Sequence, residues 1–118
     1  MDERRDSSCD RLNHISQATD KILKFCENIT EQEFIDNEML NSSILYQFII
    51  IGEAIQFIDP CILKKYPYPW HLPRSFRNYV AHEYFGINLS LIYKTIRNLL
   101  PGFKSLIDKI IDKDCAHV

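Results

Sequence analysis

An arginine, an asparagine, a histidine and a tyrosine crowd into eight residues, Arg77-Asn78-Tyr79-Val80-Ala81-His82-Glu83-Tyr84. These residue types suit a phosphodiester. A guanidinium offers a planar fork to phosphate oxygens. An imidazole titrates near neutrality and can take or give a proton. An asparagine amide can hold either group in place. If the segment is helical, Asn78 and His82 are four residues apart and share a face. Arg77 and His82 are five apart, about 140° around the axis. Their side chains then converge over one edge of the helix, more easily if it unwinds near Gly86, and Val80 and Ala81 face the core. Arg and His at this spacing also occur by chance, with His82 a surface imidazole and Tyr84 a core aromatic, so the spacing alone leaves both readings open. His14 and His71 have no evident partner.

The surrounding charge supports an anion site. The formal net charge is only −2. Residues 1–59 hold 5 Lys/Arg against 12 Asp/Glu. Residues 60–107 hold Lys64, Lys65, Arg74, Arg77, Lys94, Arg97 and Lys104 against Glu83 alone, and residues 60–82 contain no carboxylate. Such a stretch can attract an anion without a basic pI.

The elements that must position these groups read as helices. The 118 residues, 46% hydrophobic and 25% charged, correspond to a single soluble domain over 1–118. Three Gly and five Pro argue against a many-stranded sandwich or barrel. The run Phe48-Ile49-Ile50-Ile51 is far short of the roughly 20 residues of a membrane span. Met1–Asp6 carries no secretory pattern. Cys9, Cys26, Cys61 and Cys115 form no Cys-x-x-Cys pair, so free thiols in a reducing cytoplasm are expected, with Cys26 in the core and Cys115-Ala116-His117 in a frayed tail.

Leu12, Ile15, Ala18, Ile22, Phe25 and Ile29 recur at steps of three and four, predicting a first helix of about 18 residues. Thr30-Glu31-Gln32-Glu33 matches a capping box. Asp36 is placed to cap a second long helix reaching about Asp59, with Leu40, Ile44, Phe48, Ile51, Ile55 and Ile58 on one face. Pro60 ends it or opens a short helix over Cys61–Lys65. Tyr66-Pro67-Tyr68-Pro69-Trp70-His71-Leu72-Pro73 reads as a rigid connector packed on the bundle. A helix from about Arg74 to Tyr84 follows, with Gly86 as its C-cap. Asn88 or Ser90 starts the next, striped by Leu89, Ile92, Ile96 and Leu99, and Pro101 kinks or restarts it. Phe103, Leu106, Ile107, Ile110 and Ile111 mark a last helix. The sum is an all-α, up-and-down bundle of four to five helices.

Arg77-Asn78-x-x-x-His82-x-Tyr84-Phe85-Gly86-Ile87 resembles the signature of the HepT-like branch of the HEPN ribonucleases: Arg, four residues, His, one residue, Tyr. His14-Ile15, Ile51-Gly52-Glu53-Ala54 and Tyr66-Pro67-x-Pro69-Trp70 extend the resemblance over about residues 10–111. The resemblance implies an HEPN-like bundle acting as the toxin of a type II toxin–antitoxin pair, a homodimer that cleaves RNA without a metal or other cofactor. It implies Arg77 and His82 as catalytic residues and Asn78 as their support. It implies Tyr84 as the residue that a minimal nucleotidyltransferase (MNT-like) antitoxin adenylylates in some systems. Glu53 falls at the Gly-Glu-Ala position, where an intramolecular partnership with the Arg77 region is favoured over direct catalysis.

RNA carries its own nucleophile, the 2′-hydroxyl. Metal-free cleavage needs a base, an acid and a cation, and one histidine per chain supplies only one proton-transfer role. A two-fold dimer would set His82 of one copy as base and that of its mate as acid, with Arg77 stabilising the phosphorane. A 2′,3′-cyclic phosphate and insensitivity to EDTA are expected. The alternative is a non-catalytic HEPN module that binds a nucleotide or substrate beside a nucleotidyltransferase, favoured by the low net charge. A metal-binding bundle is disfavoured, because no Glu-x-x-His pair is present.

Overall fold

The structure, a computed structural model, describes the backbone of residues 3–115 and the side chains of residues 7–115. Among the described residues it is all helical: α1 (Glu3–Phe25), α2 (Glu31–Asp36), α3 (Glu38–Ile55), α4 (Pro60–Leu63), α5 (His71–His82), a 3₁₀ turn (Tyr84–Gly86), α6 (Leu89–Asn98) and α7 (Leu100–Asp114). Five of these are long, so the bundle expected from the apolar spacing is present. No helix among the described residues is long and apolar enough to cross a membrane.

Helix α1 packs on α3 and α7, and α3 packs on α5 along its other flank. The helix of residues 38–55 is therefore covered from two sides. Its Ile44, Leu45, Phe48, Ile51, Ala54 and Ile55 are all buried, as a face widened by extra isoleucines requires. They meet Leu12, Ile15, Ala18 and Ile22 of α1 and Ile107 and Ile110 of α7 in one core.

Local chemistry sets the helix ends. The Thr30 hydroxyl accepts from the Glu33 amide at 3.1 Å, and the Glu33 carboxylate accepts from the Thr30 amide at 2.9 Å, the reciprocal pair that the sequence predicts. The next cap differs from expectation. Asn37, not Asp36, caps α3, its Oδ1 accepting from the Leu40 amide at 3.0 Å, and α3 stops at Ile55 rather than near Asp59. Asp59 instead caps α4, accepting from the Cys61 amide. Asn88 caps α6 in the expected way.

Other departures have physical reasons. Helix α1 spans 23 residues and begins well before the apolar stripe. Its buried face is continued N-terminally by Ser8 and Cys9, whose small side chains give no hydropathy signal. Ser8 accepts from the Asp59 amide at 2.9 Å, tying α1 to the start of α4. Helix α5 begins at His71, three residues before the expected start. Pro73 falls in its first turn, where a missing N–H leaves no intrahelical bond unmade. Leu99 is exposed, because α6 ends at Asn98 before the stripe is complete.

Cys9 and Cys115 form a disulfide with their Cα atoms 5.8 Å apart, which corrects the expectation of four free thiols and of a frayed Cys115. Cys26 and Cys61 are free, Cys26 buried as expected. Ala116 and His117 lie outside the described residues. Beside the disulfide, the buried Asp114 takes hydrogen bonds from Lys65 and from the Tyr66 hydroxyl. Tyr66 opens the Pro-rich connector, and the Trp70 indole donates to the Leu63 and Tyr66 carbonyls at 3.0 Å each. Tyr68 and Trp70 stack against Phe103 of α7. The connector is therefore anchored at both ends, and it delivers α5 in a fixed position.

Candidate active site

Helix α5 carries the candidate residues Arg77, Asn78 and His82, and its two faces are treated differently. Val80 is fully buried and Phe76 packs edge-on against Phe48 of α3. Ala81, expected to face the core, is exposed. Arg77 and His82 were expected to converge over one edge of the helix, but Arg77 turns onto α3 while His82 stands exposed at the helix end, about 140° further around the axis.

Arg77 leans onto α3. One terminal nitrogen, Nη2, forms an ion pair with Oε2 of Glu53, and Nη1 donates to Asn78 Oδ1 at 3.2 Å. The Glu53 carboxylate also accepts from Gln56 at 3.4 Å. Arg77 Nε is enclosed without a hydrogen-bond partner among the described residues. The Arg77 side chain remains 28% exposed, so part of it is open to solvent.

Glycine makes this contact feasible. A Cβ built on Gly52 would lie 2.1 Å from Arg77 Cβ, 2.7 Å from its Cγ and 3.0 Å from the Pro73 carbonyl oxygen. Only a residue without a side chain lets α5 approach α3 so closely. The glycine and the glutamate beside it thus have separate tasks, one steric and one electrostatic.

His82 ends α5. It is exposed and makes no hydrogen bond or ion pair among the described residues. Asn78, on its face of the helix, bonds to Arg77 and not to the imidazole. The helix stops here because Glu83 leaves helical geometry (φ −109°, ψ 24°), its amide still bonding to the Tyr79 carbonyl. Tyr84, Phe85 and Gly86 form the 3₁₀ turn that follows. Gly86 was expected to cap α5 with a left-handed turn, yet no glycine among the described residues has positive φ. The cap is Glu83, and Gly86 closes the 3₁₀ turn through its amide to the Glu83 carbonyl at 2.9 Å. Tyr84 is 41% exposed and Phe85 fully exposed, with the two rings edge to face.

Tyr79 holds this open end in place. Its hydroxyl accepts from the Asn88 amide at 3.0 Å, tying the start of α6 back to α5. Sequence reasoning missed this residue, since a tyrosine inside the motif gives no sign of which loop it will reach.

Four of the seven Lys and Arg side chains of residues 60–107, Arg77 among them, are engaged by other groups of the chain, although Lys65 and Arg97 lie at the surface. Arg97 donates to the Cys26 and Ile29 carbonyls, fastening the end of α1. Lys104 pairs with Asp20 and Asp108, and Lys65 with Asp114. Lys64, Arg74 and Lys94 remain exposed without an ion pair among the described residues. His14 lies exposed in a shallow groove between α1 and α3 with Lys21 and Gln47. A larger groove of about 400 Å³ is apolar, lined by Phe48, Leu72, Phe76, Tyr79, Leu91 and Leu99, and offers a phosphate no cation. Among the described residues no three His, Cys, Asp or Glu side chains are grouped to hold a metal ion.

Comparison with known proteins identifies the family. The family model for HepT-like ribonucleases matches residues 15–110, which include α3, α5 and every site residue. A Methanocaldococcus jannaschii protein named as an inferred RNase is 31% identical over 98 residues, covering 82% of this chain and 90% of its own. A Caldanaerobacter subterraneus protein, named in the same way, is 27% identical over 87% of this chain and 93% of its own. A Thermococcus cleftensis protein named ribonuclease HepT, also by inference, is 26% identical over 86% of this chain and 93% of its own. No solved structure matches. With the family model spanning most of the chain and relatives aligned along nearly their whole length, the chain belongs to the ribonuclease HepT-like family.

Proposed function

We propose that the protein is a metal-independent endoribonuclease, the toxin of a toxin–antitoxin pair, in which Arg77 and His82 perform the chemistry. The observation that carries this reading is the state of these two groups: an arginine side chain braced on α3 and partly open to solvent, and an imidazole, unpartnered among the described residues, one and a half turns further along the same helix. His82 takes the proton of the RNA 2′-hydroxyl or returns one to the leaving 5′-oxygen. Arg77 receives the charge that develops on the phosphorane. Asn78 keeps the guanidinium fork in plane.

Two proton transfers call for two imidazoles, so the active species is a homodimer in which His82 of a second copy completes the site. The bare aromatics support this reading. Phe85 is three residues from His82, and a second copy approaching His82 would cover it. Tyr84 is open enough to accept a nucleotidyl group from an MNT-like nucleotidyltransferase antitoxin, and a phosphate placed there would compete for the same cation.

Incubation of purified protein with RNA in excess EDTA tests the reading. Cleavage leaving 2′,3′-cyclic phosphate ends is expected, reduced at least 100-fold in His82→Ala with unchanged helical circular dichroism, since a positioned acid or base contributes about 10²–10⁴-fold. Full activity in His82→Ala would overturn it.

A second reading draws support from the spent cations. With Lys65, Arg77, Arg97 and Lys104 engaged internally, few charges remain for RNA phosphates, which suits a non-catalytic module that holds a nucleotide beside a nucleotidyltransferase. Growth arrest on expression of the chain alone, relieved by His82→Ala, separates the nuclease from the module.

A further inference from the structure

Gly52 and Glu53 lie one residue apart on α3, and both meet Arg77. Gly52 touches its stem so closely that any Cβ would overlap Arg77 Cβ and Cγ. Glu53 holds its tip through Nη2. Pro73, four residues before Arg77 and on the same face of α5, supplies the third wall with its carbonyl oxygen. A glycine inside an 18-residue helix costs about 1 kcal/mol relative to alanine. The close approach it permits is the compensating feature.

We propose that Gly52 and Glu53 form a seat on α3 that positions Arg77 for its work on the phosphate, a reading that rests on the proposed nuclease function. A guanidinium has five N–H groups. Glu53 and Asn78 each occupy one, and Nε–H is enclosed beside the α3 backbone. The two remaining Nη hydrogens form the outer edge, and they are what a phosphate meets. The seat supplies direction and not charge. The carboxylate neutralises part of the guanidinium and faces the same anion, so it does nothing for the binding of RNA in the ground state. Its contribution falls on the catalytic step, where a misplaced group is costly. Glu53 and Gly52 are positioning residues and touch no reacting atom.

This division has a kinetic signature. Glu53→Ala lowers kcat by about tenfold or more, because a poorly placed group loses up to 10²-fold, while KM for RNA stays level or falls. Glu53→Gln keeps an oxygen that can accept from Nη2, and it recovers kcat to within about threefold of the parent, the charge being dispensable and the hydrogen bond not. A simple structural role for Glu53 predicts instead that both variants lose stability together with no split between kcat and KM. Gly52→Ala drives α5 outward and reduces kcat further. Should that variant fail to fold, the Glu53 pair still decides.

A second readout needs no activity. In protein labelled with nitrogen-15, the Arg77 Nε–Hε resonance, assigned by its loss in Arg77→Lys, is expected to be resolved and slowly exchanging in the parent and in Glu53→Gln. In Glu53→Ala it should exchange rapidly, like that of an exposed arginine. An unchanged resonance with an unchanged kcat in Glu53→Ala overturns the seat. If RNA is not cleaved at all, the nuclease reading fails by itself and the resonance alone judges whether α3 positions Arg77.

Discussion

The two ends of α5 have opposite characters. As far as Val80 its inner face is clasped: Trp70 is hydrogen-bonded at its start, Phe76 packs on Phe48, Arg77 sits on Gly52, and Val80 is sealed in the core. Ala81, His82 and the 3₁₀ turn beyond are bare, with His82 unpartnered among the described residues and Phe85 fully exposed. In the proposed mechanism the chain itself completes one half of the site and a second copy supplies the other half. That contrast teaches which group is preorganised. On the proposed mechanism, the cation that would meet developing charge is fixed in advance, where reorganisation would be costly. The proposed proton carrier is left free to reach a substrate or a second copy.

The contrast can be broken by substitution, beginning with the largest effect. Arg77→Ala should reduce RNA cleavage by about 10²–10³-fold, the scale of one lost charge-stabilising donor, while unfolding free energy changes by only about 1 kcal/mol, since the Glu53 pair is partly solvated. A chemical-denaturation curve beside the rate assay checks both halves of the statement. Val80→Ala, at the clasped end, should cost about 2 kcal/mol of stability through lost burial and the space left behind. The same measurement on Phe85→Ala, at the bare end, should show a change within about 0.5 kcal/mol, as for an exposed side chain. Equal losses in these two variants would erase the distinction between the ends.

A finer test concerns the anchor that delivers α5. The Tyr66 hydroxyl is pushed up to about 12, first by burial and then by its hydrogen bond to the Asp114 carboxylate and that group's charge. A tyrosine ordinarily titrates near 10. Between these values the unfolded chain releases its proton while the folded chain keeps it, so unfolding becomes more favourable as pH rises. The stability contributed by Tyr66 is whole below pH 10 and disappears as pH approaches 12. Thermal melts of the parent should fall more steeply across this range than those of Tyr66→Phe, which begins about 1–2 kcal/mol less stable at neutral pH.

Much of this was legible in the residues alone. The capping box at Thr30 and the buried stripe of α3 are local consequences of helical period and side-chain chemistry, and each stands where the sequence put it, whereas Arg77 and His82, expected to converge over one edge of the helix, face different surroundings. What stayed hidden depends on contact between distant segments. The family resemblance favoured a partnership of Glu53 with the Arg77 region, which the ion pair bears out, but the residues alone do not say that Arg77 will press against Gly52, and Asp36 and Asn37 are equally good caps until the turn geometry chooses. The start of α1 was hidden because its buried residues there are small or polar. The pairing of Cys9 with Cys115 was hidden because two ends of a chain carry no mark that they will meet.

That meeting makes the molecule a covalent ring. With its two cysteines separated by 106 positions in the sequence, the crosslink restricts the denatured chain by about 4–5 kcal/mol, a large part of what holds a protein of this size together. When a reductant opens the ring, the pole is left to the salt link and phenol gathered on Asp114. The durability of this fold therefore varies with the oxidising strength of its surroundings.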